Sequence, residues 1–506
     1  MDNLYRYALV FILLFSTLSC EEDLDELNTN VVDPTSVDEV FLLNNAIIGT
    51  SFSNGQVIYD IGIVQQIVSP NSGVLTGGNY NQDNRNSTRS HWNDYYESVI
   101  KHTGDILASL ADQPEKSNLL HMTTLIQSYA FMLLTDTYGD VPYFEAGKGV
   151  SEQIVFPRYD AQESIYRDLI NVVTNSAAAL SVSGDIYPGE VLYGGDIAQW
   201  KKMGYSLLLR LGMRVSEVDA ALAQQTVTAA VAGGVMESND DNFVIRHDFN
   251  YSNGIGNLLN GGEANNFYLV KSFVDFLSGT NDPRLGAIAV TYVGAASGPD
   301  QTPDVASIDP AIQVGMPMGF DNGSIVAQAE ADGLVSFYEY SQADRSRIAQ
   351  RNSPMFIITH GQTQLLLAEA ATRGWVSGAA ADFYEAGVRA HMDQMALYSP
   401  VMEIPTTDVD AYLVANPFDA GNALEQINDQ YWVASFLNGP EAFANFRRSG
   451  FPDLPPNPFP AQDITGDFIN RLTYPNDEIA VNGENLAEAV ARMGPDNLDT
   501  KVWWDQ

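Results

Sequence analysis

Cysteine, lysine and long apolar runs are what this chain has least of. One cysteine, Cys20, occurs in 506 residues, so neither an internal disulfide nor paired-thiol chemistry is available. Lysine occurs seven times, and 25 basic residues stand against 64 acidic ones, for a net charge of −39. A surface of that sign repels nucleic acid, whose binding depends on Lys and Arg neutralising phosphates. It also repels anionic polysaccharides at long range, an effect that salt screens. The best apolar run beyond the N-terminus, residues 207–213, is broken by Arg210, so nothing there spans a bilayer, which needs about 20 apolar residues. The six histidines, His91, His102, His121, His247, His360 and His391, are scattered with no pair at ligand spacing, which argues against a zinc site. No H-E-x-x-H signature, P-loop, Gly-x-Ser-x-Gly elbow or EF-hand loop occurs. Gly254 and Gly256 lack the spacing of a dinucleotide fingerprint and have no strand before them. Carboxylate pairs of the glycoside-hydrolase kind stay open, because 64 acids make accidental pairs inevitable.

What is there begins at the N-terminus. Residues 1–19 carry Arg6 as their only basic side chain, an apolar run from Ala8 to Phe15 and Ser19 as a small residue before Cys20. That is the pattern of a secretory signal peptide. Cys20 looks like a lipobox cysteine, lipidated after cleavage, with Thr17 standing where leucine is commoner. Several acyl chains, each buried methylene contributing about 0.8 kcal/mol, would hold the mature protein on a membrane without a spanning helix. Residues 20–35 then form a lipidated tether, and Glu21, Glu22 and Asp23 resemble the surface-export tag of Bacteroidetes lipoproteins.

Helical periodicity dominates both ends of the mature chain. Trp92, Tyr95, Tyr96, Val99, Ile100, Thr103, Ile106, Leu107 and Leu110 recur at three- and four-residue spacing and predict a helix over 89–110. Ser117 is a candidate cap for the next helix, which Gly139 and Pro142 end. Asp160 with Glu163 forms a capping-box pattern ahead of Ile165, Leu169 and Val173. Asp196 is the candidate cap of a helix through Trp200 and Leu211, and 220–231 continues the pattern more weakly. Periodicity returns at 362–373, 379–392, 424–437 and 484–493, with a short helix from Glu441 and a proline- and aromatic-rich packed loop running on to 460. Residues 233–350 are rich in Gly, Asn, Asp and Ser and predict loops, short strands near 242–245 and 289–293, and one helix over 265–277. No strict 34-residue repeat is present.

Several segments form a set. They are Thr135 to Tyr143 (TDTYGDVPY), Gln199 to Lys202 leading to Leu209 to Arg214 (LRLGMR), Asn281 to Leu285 (NDPRL), Leu366 to Ala370 (LLAEA), Glu441 to Gly450 (EAFANFRRSG), and the stretch from Arg492 to Trp504. With the lipoprotein-like start, this set resembles the SusD/RagB family of Bacteroidetes outer-membrane lipoproteins, in its SusD-like 2 branch, along the whole mature chain. The resemblance implies a mainly all-α fold on tetratricopeptide-like helix pairs. It implies a single domain over 36–506, with a helical scaffold at 36–232, an irregular segment at 233–350 and a helical C-terminal part at 351–506. It implies a non-catalytic lipoprotein at the exterior of the outer membrane. Such a protein captures an oligo- or polysaccharide and delivers it to a SusC-like TonB-dependent transporter. No cofactor, metal or nucleic acid is expected, and the membrane is met through the lipid anchor only; a structural calcium occurs in some relatives. Two other readings stay open: peptides or other non-sugar nutrients on the same scaffold, as for RagB-like proteins, and a glycoside hydrolase with an unrecognised carboxylate site.

The family motifs themselves read as scaffold. Asp136, Tyr138, Gly139, Asp140 and Pro142 end a helix and turn the chain. Trp200, Arg210 and Arg214 read as core with buried ion pairs, and Arg447, Arg448, Trp503 and Trp504 as further packing. Ligand contacts are expected on loops instead, where aromatic faces meet sugar C–H surfaces and amides, acids and arginines read hydroxyls. Two loops have this chemistry. The first, 70–92, offers Asn79, Tyr80, Asn81, Asp83, Asn84, Arg85 and Trp92; the second, in the irregular middle, offers Tyr292, Phe320, Tyr338 and Tyr340. The resemblance points to the same two places.

Overall fold

Apolar stripes at helical spacing can bury themselves only against one another, and the chain does this in series. The computed structural model describes residues 37–505, apart from 53, 72, 73, 150, 151 and 263. The expected signal peptide over 1–19, Cys20 and the expected tether over 20–35 lie outside the described residues. Among those described, the principal helices are α1 (Glu39–Gly49), α2 (Lys101–Leu110), α3 (Ser117–Tyr138), α4 (Gln162–Ala179), α5 (Ile197–Arg214), α6 (Ala220–Gly233), α7 (Lys271–Gly279), α8 (His360–Thr372), α9 (Ala380–Tyr398), α10 (Thr406–Ala415), α11 (Ala423–Ala434), α12 (Gly439–Ser449) and α13 (Gly483–Met493). The turns Ser90–Tyr95 and Tyr96–Ile100 lead straight into α2, so the stripe predicted over 89–110 is one helical segment. Successive helices pack on each other: α3 on α4, α4 on α5, α5 on α6, and α8 on α9. The fold is mainly α, as expected.

Among the described residues the strands are short and form no closed sheet. They are β1 (Ile67–Val68), β2 (Val141–Pro142), β3 (Tyr159–Asp160), β4 (Phe243–Ile245), β5 (Tyr268–Leu269), β6 (Ala289–Tyr292), β7 (Ala306–Ser307), β8 (Gln342–Ala343) and β9 (Met355–Ile358). All pair antiparallel, β1 with β5, β2 with β3, β4 with β9, and β6 between β7 and β8. The helix predicted over 265–277 starts later, at Lys271, because Tyr268 and Leu269 pair with Val68 and Ile67 instead.

Two predicted caps are also replaced. Ser117 is the first residue of α3, not its cap; the carboxylate of Asp185 accepts from the Asn118 and Leu119 backbone N–H groups at 2.8 and 3.2 Å. The Asp160–Glu163 box does not form. Asp160 accepts from the Tyr143 and Phe144 N–H groups instead, and the Gln162 N–H at the start of α4 donates to Asp140 at 2.9 Å. Asp196 caps α5 as predicted, accepting from Ala198 N–H at 2.9 Å.

The family-motif residues lie where these helices meet. Arg214 on α5 bridges Asp136 on α3 at 3.2 Å and Glu441 on α12 at 2.7 Å, and Arg210 reaches Glu441 at 3.3 Å. Asp136 also accepts from the Trp504 indole at 2.9 Å and from the Tyr166 hydroxyl. Arg448 pairs with Glu369 on α8 through two 2.7 Å bonds, with both side chains 1% exposed. Burial opposes ionisation of Glu369, but the guanidiniums of Arg448 and Arg373 outweigh it and hold its pKa at about 2. Gly139 ends α3 at φ 84°, and a Cβ there would lie 2.3 Å from the Met493 sulfur. Most apolar side chains join one core, whereas the irregular segment builds two small cores of its own, one around Tyr268, Met316 and Tyr340 and one around Val290 and Tyr292.

Candidate ligand-binding site

Asn79 is the point at which distant loops are tied together. Its amide nitrogen donates to the carbonyls of Ser69 at 3.1 Å and Phe320 at 2.9 Å, and its oxygen accepts from Gly319 N–H at 2.8 Å. A second amide, Asn457, donates to the carbonyls of Gly78 and Asn79 at 2.9 and 2.6 Å. The two loops singled out in the sequence therefore do meet, and a third joins them over 452–459. Its four prolines, Pro452, Pro455, Pro456 and Pro458, read in the sequence as packing; a proline run with no helix to interrupt was the available signal. Gly77 and Gly78 let the first loop lie flush on the segment before it. A Cβ at Gly77 would sit 1.8 Å from the Ile58 carbonyl oxygen, and one at Gly78 would sit 2.5 Å from the Gly62 carbonyl carbon.

The second and third of these loops, with α7, line an open groove of about 700 Å³, and among the described residues the first loop supplies none of its lining. Pro317, Met318, Phe320 and Phe276 line one part, the proline run another, and Val270, Trp432 and Leu454 also contribute. The surface is fixed in place by hydrogen bonds. Gln65 donates to the Pro455 carbonyl at 2.6 Å, Ser272 donates to Gln65 at 2.5 Å, and the Trp432 indole donates to the Val64 carbonyl at 2.8 Å. Lys271 and Asp275 pair at 2.7 Å on the exposed edge, and Asp453 adds a second carboxylate. An apolar, rigid surface with a few polar groups at its border suits the C–H faces and hydroxyls of a sugar chain.

The residues anticipated from the sequence fall into three groups. Phe320 lines the groove. Tyr80 stands nearby, half-buried and stacked parallel on Phe459 with centroids 3.7 Å apart; burial and Asp321 raise the pKa of its hydroxyl. The polar members of the first loop hold the loop itself. Asn81, at φ 50°, donates to Gln462 at 2.7 Å. Asn84 caps a short helical turn through Asn86 N–H, Asp83 accepts from Thr473 at 2.7 Å, and Arg85 binds the Tyr474 carbonyl and Asp496. Burial raises the Asp83 pKa. The remaining aromatics are packed: Trp92, 6% exposed, sits among Tyr96, Tyr138, Tyr159 and Tyr474. Tyr292 lies in a small core under the Arg345 guanidinium, Tyr338 stacks on Phe337 at 4.2 Å, and Tyr340 is fully buried with its hydroxyl on Asp332 at 2.6 Å.

A sequence profile described as SusD-like_2, "Starch-binding associating with outer membrane", matches residues 31–475. The chain belongs to the SusD-like_2 family. Among solved structures, this SusD-like chain is 32% identical to a chitin-binding protein, with TM-score 0.82 over 92% of this chain and 100% of the other. It is 26% identical to a Bacteroidetes AC2a SusD-like protein, with TM-score 0.81 over 93% of this chain and 100% of that one. A chitin-binding SusD homolog from Flavobacterium johnsoniae, 22% identical with TM-score 0.75 over 92% and 98% of the two chains, shares the fold. No curated protein matches the chain. The family is one of binding proteins associated with the outer membrane. Among the described residues, no helix of this SusD-like protein is long and apolar enough to cross a membrane, and no group of three or more His, Cys, Asp or Glu is placed to hold a metal ion.

Proposed function

We propose that this protein is a cell-surface glycan-binding lipoprotein that captures an oligo- or polysaccharide in the groove beside Phe320 and passes it to a SusC-like TonB-dependent transporter, without cleaving it and without a cofactor. The observation that carries the reading is the similarity to a chitin-binding protein over 92% of the chain, joined to a groove of about 700 Å³ with apolar walls and a border of amide, hydroxyl and charged groups. β-1,4-linked N-acetylhexosamine chains are the first ligand to test, since their acetamido methyls and ring C–H faces match Met318, Phe320 and the prolines. In this reading Cys20 carries the lipid, and the acidic tether over 20–35 keeps the groove at the outer face of the membrane.

Affinity electrophoresis of the purified protein in gels containing glycol chitin, soluble starch or no glycan tests the proposal. Retardation by a glycan, with no release of reducing ends from it, is the expected result. Retention by peptides alone would replace the glycan with a peptide ligand, and reducing-end release would make the protein a hydrolase. Labelled fatty acid should appear on the wild type and be lost in Cys20→Ser. The barrel partner is tested by co-purification from membranes.

A further inference from the structure

A second cavity, of about 280 Å³, opens on the other side of Phe276, which lines both it and the groove. It lies among α7, α9, α10 and α11, with Tyr384 and Tyr412 on its walls and Asn416, Asn422 and Gln426 around them. Its volume falls just below the roughly 300–1,000 Å³ of pockets for drug-sized ligands, which leaves space for one ring-sized group. Most of its polar groups are already held. Gln430 donates to the Tyr412 hydroxyl at 2.9 Å, Gln426 to the Pro417 carbonyl at 2.9 Å, and Asn416 to the Thr280 carbonyl at 3.1 Å. Asp429 is the exception. It lines the cavity, and its Oδ1 is buried with no hydrogen-bond partner among the described residues. A buried acceptor of this kind is costly unless a donor reaches it, and a sugar ring brings several hydroxyl donors while its C–H edges can meet Phe276 and the tyrosines.

We infer that this cavity is a second saccharide subsite, holding one ring of a glycan whose chain lies in the groove, with Asp429 accepting from that ring's hydroxyls. The inference rests on the glycan reading of the groove. Burial, together with Glu425 and Asp453, pushes the Asp429 pKa up to about 7, and in its neutral form the carboxyl would also donate to a ring oxygen.

Isothermal titration of the full chain with N,N′-diacetylchitobiose and with hexa-N-acetylchitohexaose tests it, since the disaccharide is short enough to sit in the groove alone. Two variants separate binding from packing: Asp429→Ala, which removes the acceptor, and Asn422→Trp, which fills the mouth from an exposed position. Each should weaken hexasaccharide binding about tenfold, the equivalent of one good hydrogen-bonded contact of about 1.4 kcal/mol, and leave disaccharide binding unchanged, whereas Phe320→Ala should weaken both. Wild-type hexasaccharide affinity in both variants, with Phe320→Ala impaired, overturns the subsite and leaves the groove intact. An effect of Asp429→Ala alone, accompanied by a lower melting temperature, also overturns it by making Asp429 structural. Failure of the wild type to bind either chitin oligomer overturns the chitin reading of the groove, and the subsite with it.

Discussion

The helical junction around Asp136 and Glu441 and the groove around Phe320 are built on opposite principles. At the junction, charges are fully buried and each is matched: Arg214 by Asp136 and Glu441, Arg448 by Glu369, with Trp504 and Tyr431 completing the hydrogen bonds. At the groove, side-chain amides fix backbone loops, and apolar faces are left to line an open surface. Most of the family motifs fall in the first region, and Asn281 to Leu285 follows the same principle elsewhere, with Arg284 buried against Asp282 and Gln430. The motif set thus identifies the scaffold, and the residues that would choose a ligand lie outside it, on loops whose sequence the scaffold does not constrain.

The sharpest way to break that contrast is at Glu369. Glu369→Gln leaves Arg448 buried without its carboxylate, and removing one partner of a buried pair costs about 3–5 kcal/mol. Urea unfolding at pH 7 should show that loss, while the folded fraction binds glycan as the wild type does. The pH dependence follows from the sign of the shift. The folded-state pKa of Glu369, about 2, lies below its ordinary 4.5, so its contribution is complete above about pH 4.5 and is lost as pH falls through 2. The gap between wild type and variant should stay constant from pH 7 to 5 and close below that.

Asn79→Ala ranks second. It removes the three hydrogen bonds that tie the Ser69, Gly319 and Phe320 backbones and leaves buried backbone groups unpaired, for about 1–3 kcal/mol. Unlike Glu369→Gln, it should weaken glycan binding as well, because Phe320 loses its anchor. Stability by thermal melting and affinity by titration, measured on one preparation, check both halves.

An effect of opposite sign is expected at Asp429. Its pKa of about 7 lies above the ordinary 3.8, so the folded state holds a proton that the unfolded chain releases, and wild-type stability falls as pH rises from about 4 to 7. Asp429→Asn removes that penalty. It should be more stable than the wild type at pH 8, by about 4 kcal/mol at most, and equal to it near pH 4.

The legibility of the chain follows the same division. Helical stripes such as Trp92 to Leu110 were readable because their pattern is local. The caps of α3 and α4 were not, because Asp185 and Asp140 arrive from other segments and displace the candidates Ser117 and Asp160. The packing role of Asp136, Arg214 and Trp504 was visible as residue type and helix position, although the bond from Trp504 to Asp136 joins residues 368 apart in sequence. In the site, composition found the Asn79 and Phe320 loops but not the Asn457 loop between them. Composition also cannot separate an exposed aromatic from one in a small local core. For that reason Tyr292 and Tyr340 stood beside Phe320 in the sequence reading, and the structure buries both in the minor cores of the irregular segment.

The smallest change in stability should accompany a large change in binding. Phe320 is only partly buried, so Phe320→Ala should cost under about 1 kcal/mol. Affinity electrophoresis of wild type and Phe320→Ala in glycol chitin and in soluble starch, with melting temperatures taken alongside, tests the division of scaffold from groove most directly. The wild type should be retarded by one of these glycans, and the variant should melt at nearly the same temperature but migrate as in the empty gel. Equal retardation of the two proteins would contradict that division.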